Sequence, residues 1–259
     1  MVLDQCVPST SERQVSLDAV ERTARWAQRS LDARKDSRQS MFGIVQGACD
    51  ISLRKTSASQ ITSLPFDGFA IGGLAVGEAE DERKDVTEFT ASLLPKHLPR
   101  YLMGVGTPID LLEAVHRGVD MFDCILPAAH GQQGVVYTSH GRIELRRGVH
   151  RLSDRPVDEN CSCPACRSYS RAYLHHLVKA DEFYAKQLLG LHNLTFYKTL
   201  MDEMRSRILD DSFSSWYRTK REELVEVDRD NPITRPQTKQ RASNLVLGNY
   251  EVVEQKGFH

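Results

Sequence analysis

The chain has 259 residues, of which 40% are hydrophobic and 27% charged, and its formal net charge is −1 at pH 7. This is the composition of a soluble globular protein with one large or two small domains, and it excludes a global positive field that would by itself indicate nucleic-acid binding. No apolar run approaches the ~20 residues needed to span a bilayer, and the N-terminus lacks the regions of a signal peptide. We therefore expect no membrane partner and a cytoplasmic location.

The first half of the chain predicts alternating strands and helices. Val2-Leu3 resembles the end of a strand, and four apolar runs predict buried strands within residues 41–47, 68–73, 100–106 and 119–124. Apolar residues at helical spacing, or helix-compatible stretches, predict helices over residues 11–31, 51–64, 80–94 and 108–115. This alternation favours right-handed βα units on a parallel sheet.

Polar or glycine-rich positions follow these strands: Asp4, Gln46, Gly72-Gly73 and Asp123. In a (β/α)₈ barrel the loops at this end of the strands form the catalytic face. A doubly wound sheet shares the alternation, but residues 72–77 lack the G-x-G-x-x-G spacing of a dinucleotide site. Since five strands cannot close an eight-stranded barrel, we expect an α/β fold that contains the later strands of a partial TIM barrel and lacks the N-terminal part.

The pattern changes after Pro127. Residues 134–145 predict a hairpin that turns at His140-Gly141. A helix is predicted over Tyr169–Leu189 and another over residues 194–208, whereas the polar sequence beyond Val225 predicts a mobile tail.

Three of the six cysteines, Cys161, Cys163 and Cys166, lie within six residues. Thiolates completed by one imidazole are the ligands of a tetrahedral zinc ion, and a closed Cys₃His set leaves no position for a substrate, so the metal would be structural. Three unrelated thiols are a weaker interpretation because of this crowding. A disulfide is weaker still, since neighbouring thiols are too close to bridge comfortably and one would be left over.

The fourth ligand is harder to choose from the sequence. We favour His192, which follows the end of the helix predicted over Tyr169–Leu189, whereas the rivals His175 and His176 fall early in that helix. These patterns together predict four regions: partial-barrel βα units (1–127), a hairpin and zinc-binding subdomain (128–192), C-terminal helices (193–224) and a polar tail (225–259).

Seven short motifs occur in order between residues 1 and 221: D-Q-C at 4–6, F-G-I-V-Q-G at 42–47, G-G-L-A-V-G-E at 72–78, Y-L-M-G-V-G at 101–106, D-M-F-D-C at 120–124, the thiol cluster with its histidine, and, within that last span, S-R-A-Y-L-H-H-L at 170–177. Together they resemble the bacterial tRNA-guanine transglycosylases, also called queuine tRNA-ribosyltransferases. Seven ordered motifs are far more specific than any one of them alone.

The resemblance implies a (β/α)₈ barrel with an inserted zinc subdomain, tRNA as partner, and a possible homodimer. It implies exchange of the wobble guanine in tRNAs with a G-U-N anticodon for the 7-deazaguanine base preQ1, through a covalent aspartyl-ribosyl intermediate. By motif match, Asp123 is the nucleophile, and Val76 favours the smaller preQ1 base over queuine. The match also assigns base-edge contacts to Asp4, Gln46 and Gly73, pocket lining to Leu74 and Met103, and structural zinc to Cys161, Cys163, Cys166 and His192.

These residue types suit that chemistry. A carboxylate can trap an oxocarbenium-like sugar as a covalent intermediate. A second carboxylate and a glutamine amide can pair with a guanine edge, which offers both donors and acceptors. Exchange of an anticodon base also requires that nucleotide to leave its stack and enter a pocket.

Two departures from the family leave alternatives open. Relatives carry a basic loop of the form P-T-R-N-A-R-N-G, whereas residues 127–134 read P-A-A-H-G-Q-Q-G and lack both arginines; each lost contact costs about 1–3 kcal/mol. The family's first strands, with its general acid/base aspartate, have no counterpart. One alternative is therefore a catalytically impaired or non-catalytic zinc-containing member, and another is a barrel glycosyl-transfer enzyme that acts on a free nucleoside.

Overall fold

The computed structural model describes residues 1–34 and 38–226, together with residues 228 and 230. Helices and strands alternate in the first half: α1 (Arg13–Ala33), β1 (Phe42–Val45), α2 (Ile51–Thr62), β2 (Gly68–Ile71), α3 (Glu80–Leu93), β3 (Arg100–Leu102), α4 (Pro108–His116) and β4 (Met121–Phe122). The second half contains α5 (Leu126–Gln133), the strands β5 (Val135–Thr138) and β6 (Gly141–Glu144), a 3₁₀ turn (Gly148–His150), α6 (Pro164–Ser168), α7 (Arg171–Lys179), α8 (Phe183–Leu209) and α9 (Phe213–Val225).

The strands β1 to β4 form one parallel sheet in sequential order. Its central residues, including Ile44, Ala70, Ile71 and Leu102, are at most 1% exposed because helices cover the sheet. The predicted βα alternation and parallel sheet are confirmed. Among the described residues the parallel sheet has four strands rather than the predicted five, since Val2 contributes a single backbone hydrogen bond to Phe42 (3.1 Å) and no strand. Closure into a barrel stays a prediction.

Local signals define where the helices of this half begin. Asp50 caps α2 by accepting hydrogen bonds from the backbone N–H groups of Ser52 (2.8 Å) and Leu53 (3.0 Å). Thr107 and Asp110 form a reciprocal capping box at the start of α4. The helices that follow β1 and β3 therefore start at fixed positions relative to the sheet.

The helix predicted over Tyr169–Leu189 is wrong in its extent. The chain breaks at Asp181, whose φ of +56° is left-handed, and α8 then runs for 27 residues through the predicted gap before residue 194. Gly190 does not interrupt α8, because packing of buried side chains such as Leu189 and Leu200 outweighs the ~1 kcal/mol that glycine costs in a helix. His192 consequently lies within α8 and not beyond the end of a helix.

The segment where the family resemblance places a basic loop is also helical. Helix α5 has Pro127 in its first turn and ends at Gly134, whose φ of +81° is the left-handed conformation of a C-terminal glycine. It crosses α8 closely: a Cβ atom added at Gly131 would lie 2.7 Å from the backbone nitrogen of Gly190. The hairpin predicted next is confirmed, with β5 and β6 antiparallel, but its turn is at Ser139-His140 and not at His140-Gly141, because Gly141 pairs with Thr138 as the first residue of β6.

Three apolar clusters form the core: one between the sheet and its helices, one around the hairpin and the thiols, and one joining α4, α8 and α9.

The division into four regions stays a prediction. Of the predicted tail, residues 227, 229 and 231–259 lie outside the described residues. Asp228 and Asp230 are instead docked on buried Arg171, at 2.8 Å for Asp228 and 3.2 Å for Asp230. Within the described chain, no helix is long and apolar enough to cross a membrane.

Candidate functional site

Asp4 and Gln46 form a side-chain pair at the carboxyl end of β1. The Gln46 Nε2 donates to Asp4 Oδ2 (2.5 Å), and the Gln46 backbone N–H donates to Ser57 Oγ (2.9 Å). Both the side chain and the backbone of Gln46 are therefore held in place. Burial raises the pKa of Asp4 above its ordinary value, although the hydrogen bond from Gln46 opposes this. The pair is therefore a pre-formed group of hydrogen-bonding atoms in a partly desolvated position.

Gly72 and Gly73 lie directly against that amide at the end of β2. A Cβ atom at Gly72 would stand 2.6 Å from Gln46 Nε2, and one at Gly73 would overlap Gln46 Oε1. Gly73 also has φ +66°, which favours glycine. Leu74, which follows, is buried, and Met103 packs against the same core cluster from the end of β3. The structure thus brings the predicted base-contacting residues to the carboxyl-terminal end of the sheet.

Asp123 follows β4 and is exposed. One of its oxygens, Oδ1, accepts hydrogen bonds from the Tyr101 hydroxyl (2.6 Å) and the Gly104 backbone N–H (2.9 Å). Burial and the adjacent Asp123 carboxylate raise the pKa of Tyr101 to about 12, so this hydroxyl stays a donor at neutral pH. The second oxygen accepts no hydrogen bond from the described residues, and it is the atom left available to a substrate.

The Asp123 carboxylate and the predicted base-contacting pair, Asp4 and Gln46, lie at the same end of the sheet. Since β1 and β4 are the outer strands of a parallel order, their carboxyl ends face the same way. No hydrogen bond between described residues joins Asp123 to Asp4 or Gln46.

Sequence reasoning missed Arg54, which is 0% exposed and lies beneath this edge. Its guanidinium donates to four backbone carbonyls, those of Val45, Ala48, Gly72 and Gly73. A signal for it exists in α2: position 54 lies on the face that carries the buried residues Leu53, Ser57, Ala58 and Ile61. An arginine on an otherwise buried helical face indicates a buried cation that needs acceptors.

The thiols and His192 form the second candidate site. The three Sγ atoms of Cys161, Cys163 and Cys166 lie 3.7, 3.4 and 3.3 Å from His192 Nδ1, and all four candidate ligand atoms fall within 4.8 Å of one another. Sulfur and nitrogen ligands of one tetrahedral zinc ion are roughly 3.5 Å apart, given metal distances of about 2.3 and 2.0 Å. The geometry and the donor set therefore fit zinc.

The environment of the imidazole supports this fit. Burial by itself disfavours a charged His192, but the hydrogen bonds with the thiols outweigh burial and raise its pKa to about 10. The rival histidines are elsewhere: His175 Nδ1 lies 2.6 Å from the Leu145 carbonyl, and His176 is exposed. The chain supplies a Cys₃His set without them.

Comparison with known proteins gives one family. The model of the family described as "TGT: Queuine tRNA-ribosyltransferase" matches residues 1–225. The queuine tRNA-ribosyltransferase of Idiomarina loihiensis is 41% identical over 232 residues, which is 88% of this chain and 62% of the relative. That of Halalkalibacterium halodurans is 48% identical over 212 residues (82% and 56%), and that of Novosphingobium aromaticivorans is 47% identical over 221 residues (83% and 59%). The chain thus spans about three fifths of the length of these relatives.

Proposed function

The chain belongs to the queuine tRNA-ribosyltransferase family, and on that premise we propose that it is a tRNA-guanine transglycosylase, a pentosyltransferase of queuosine biosynthesis. It exchanges the wobble guanine of tRNAs with a G-U-N anticodon for preQ1. The single observation that supports this most strongly is Asp123: a carboxylate with one oxygen fixed and the other available, at the sheet edge that holds Asp4, Gln46 and Gly73.

The proposed chemistry has two displacements at the ribose C1′ atom. Asp123 attacks C1′, the new C–O bond forms, and the bond to the guanine nitrogen breaks with a proton passing to the leaving base. The incoming base then attacks the same carbon through its ring nitrogen, loses a proton and releases Asp123. Tyr101 and Gly104 fix the carboxylate in its attacking orientation. Holding the nucleophile in place lowers the entropic part of the activation free energy.

Selection of the base is proposed to rest on Asp4, Gln46 and the backbone of Gly73, with Leu74 and Met103 against the ring. Buried groups that hydrogen-bond a base reject one that lacks the matching atoms by roughly 10⁴-fold or more. Val76 is proposed to favour the small preQ1 base. The guanine must first leave the anticodon stack to enter this pocket.

Zinc is proposed to be structural, held by the Cys₃His set, where it ties the thiol segment to α8 and so maintains the subdomain that docks tRNA. We further propose a cytoplasmic location and a homodimer, as the family implies. All six cysteines are unpaired, in keeping with a reducing compartment.

The experiment is incorporation of radiolabelled guanine into a G-U-N tRNA transcript. We expect the native chain to incorporate label and Asp123→Asn to lose about 10³-fold or more in rate, because the nucleophile is gone. Asp120→Asn is the matched control: Asp120 lies before β4, where it accepts from the Arg100 backbone N–H (2.9 Å), at the opposite edge of the sheet.

Two other results would replace the proposal. A native chain that binds zinc but incorporates no label is the catalytically impaired member, which the absence of arginine from α5 favours. A chain that exchanges the base of a free nucleoside and does not shift tRNA in a gel at low salt is a nucleoside glycosyl-transfer enzyme. Equal rates for Asp123→Asn and the native chain would remove Asp123 from the mechanism.

A further inference from the structure

We infer that Arg54 is a positioning residue, which aims the backbone N–H of Gly73 and the side chain of Gln46 at the base through the carbonyl groups that it holds. The inference rests on the proposed function, since it deepens the account of how the base is read. Arg54 touches neither substrate nor reacting atoms, and it would act entirely through the two strand ends that it joins.

The guanidinium links the carboxyl ends of β1 and β2. Its Nε donates to the Ala48 carbonyl (2.7 Å), and Nη1 donates to Val45 (3.2 Å) and Gly72 (2.7 Å). Nη2 donates to the Gly73 carbonyl (3.2 Å). Val45 and Ala48 lie on either side of Gln46 in the sequence, and Gly72 and Gly73 pack on its side-chain amide. One side chain therefore fixes the backbone around both Gln46 and Gly73, the two residues proposed to bind the base edge.

No carboxylate accepts from Arg54 among the described residues, which makes this an unusual way to bury a cation. Burial accordingly lowers its pKa to about 10. A buried charge without an ionised partner is costly, and a neutral side chain would stabilise an ordinary helix–sheet contact at least as well. What only a planar fork of five N–H donors supplies is a fixed direction for several carbonyls at once.

The direction of those carbonyls determines where the adjacent amides point. In a trans peptide the C=O and the following N–H point in opposite directions, and no described peptide bond is cis. With the Gly72 carbonyl held by Arg54, the Gly73 N–H must point away from it. Burial and Asp4 raise the pKa of the Cys6 thiol, and interaction with the Gly73 N–H opposes this rise; Cys6 is two residues from Asp4. The donor thus faces the Asp4 side of the turn, where the base is proposed to lie.

The sequence allows this amide to be observed alone. Gly72-Gly73 is the sole Gly-Gly pair in the chain, so labelling with ¹³C-carbonyl, ¹⁵N-glycine leaves one amide whose preceding carbonyl is also labelled. An HNCO spectrum then contains a single peak that reports the Gly72 carbonyl and the Gly73 N–H together. Arg54→Lys keeps the positive charge and a hydrogen-bonding head, and Arg54→Gln tests loss of the charge.

Arg100→Lys is the matched control. Arg100 also donates to two backbone carbonyls, those of Leu94 (2.7 Å) and Gly118 (3.3 Å), but it does so at the amino ends of the strands. A general loss of stability from removing an arginine–carbonyl contact would therefore occur in both variants. A change in the Gly73 peak or in guanine affinity that occurs in Arg54→Lys alone would therefore arise at the strand ends that carry Gln46 and Gly73.

We expect Arg54→Lys to remain folded by circular dichroism, to shift the Gly73 peak without any ligand, and to raise the Kd for free guanine roughly tenfold in calorimetry, the effect of about one misdirected hydrogen bond. Arg100→Lys should leave the position of the peak unchanged and the Kd within twofold of the native value. An unmoved peak in a folded Arg54 variant overturns the inference, and so does a moved peak with unchanged guanine affinity. If the native chain binds no guanine, the proposed function fails. In that case the peak alone tests whether Arg54 shapes the turn, and a shift of the Gly73 peak in the Arg54 variants would still support that role.

Discussion

The His192 imidazole uses its two nitrogens on different parts of the protein. Nδ1 faces the three thiols, and Nε2 lies 2.7 Å from the carbonyl oxygen of Tyr137 in β5. A carbonyl can only accept, so Nε2 donates to it. In the neutral imidazole, the form that binds a metal, the proton therefore stays on Nε2 and Nδ1 presents its lone pair to the thiol cluster. The hairpin thus fixes both the tautomer and the orientation of the candidate metal ligand, the usual task of an outer hydrogen-bond partner at a zinc site.

Zinc binding is the first prediction. We expect one zinc per chain by elemental analysis, and Co²⁺ substitution should give the visible absorption of a tetrahedral thiolate site. Zinc at a free concentration 1,000 times its Kd stabilises the fold by about 4 kcal/mol, so excess chelator should lower the midpoint of thermal unfolding.

Cys163→Ser should abolish zinc binding, because Cys163 is the buried thiol of the set, 3.4 Å from the imidazole. Cys49→Ser, outside the cluster, is the control and should keep a full equivalent of zinc. Full zinc retention by Cys163→Ser would contradict the assignment.

The close crossing of α5 and α8 gives the second prediction. Gly131→Ala should destabilise the protein by about 1–3 kcal/mol, because its Cβ would lie 2.7 Å from backbone that cannot move independently. Gly190→Ala, on the other side of the same crossing, meets nothing within 4 Å and should stabilise α8 by up to about 1 kcal/mol. Urea unfolding measures both. Equal effects would mean that the helices do not cross here.

The third prediction concerns tRNA affinity. Gln132 is exposed and Ala129 half-buried on α5, at the two positions where the family resemblance places arginines. Ala129→Arg with Gln132→Arg should tighten tRNA binding by about 1–3 kcal/mol for each contact restored and should steepen its salt dependence. The same two substitutions to glutamate serve as the control and should weaken binding. Unchanged affinity in both, by filter binding at two salt concentrations, would remove α5 from the tRNA surface.

The fourth prediction is a pH dependence of stability from Glu113. Burial disfavours its ionised form, but hydrogen bonds from Arg221 and Arg117, both at 2.6 Å, outweigh burial and lower its pKa to about 2. A lowered folded-state pKa stabilises the protein above the ordinary value of 4.5 and ceases to do so as pH falls towards 2. We expect a loss on the order of 2 kcal/mol across that window.

Chemical denaturation at several pH values measures this loss. Glu113→Gln should reduce stability at pH 7 and flatten its decline between pH 4.5 and 2. Glu88→Gln is the control, since Glu88 is largely exposed and pairs with the same Arg117 at 3.4 Å. If Glu113→Gln declined with pH as the native chain does, Glu113 would not be responsible.

Much of this fold and of its candidate sites could be predicted from the sequence, because the signals are local. Buried parallel strands are continuous apolar runs, so the alternation of β1 to β4 with helices was visible. The hairpin was visible too, although its turn lies one residue earlier than predicted, at Ser139-His140. Three thiols within six residues likewise indicated a metal site before any geometry was known.

Other features were decided only by tertiary structure. Whether the helix around Gly190 continued depended on packing against distant elements, and α5 replaced an expected loop because it lies against α8. The acceptors of Arg54 come from two strand ends that meet only in the sheet. Periodicity reports which face of a segment is apolar, whereas the partner of a buried polar group is fixed by contacts between residues far apart in the chain, and no local pattern contains that information.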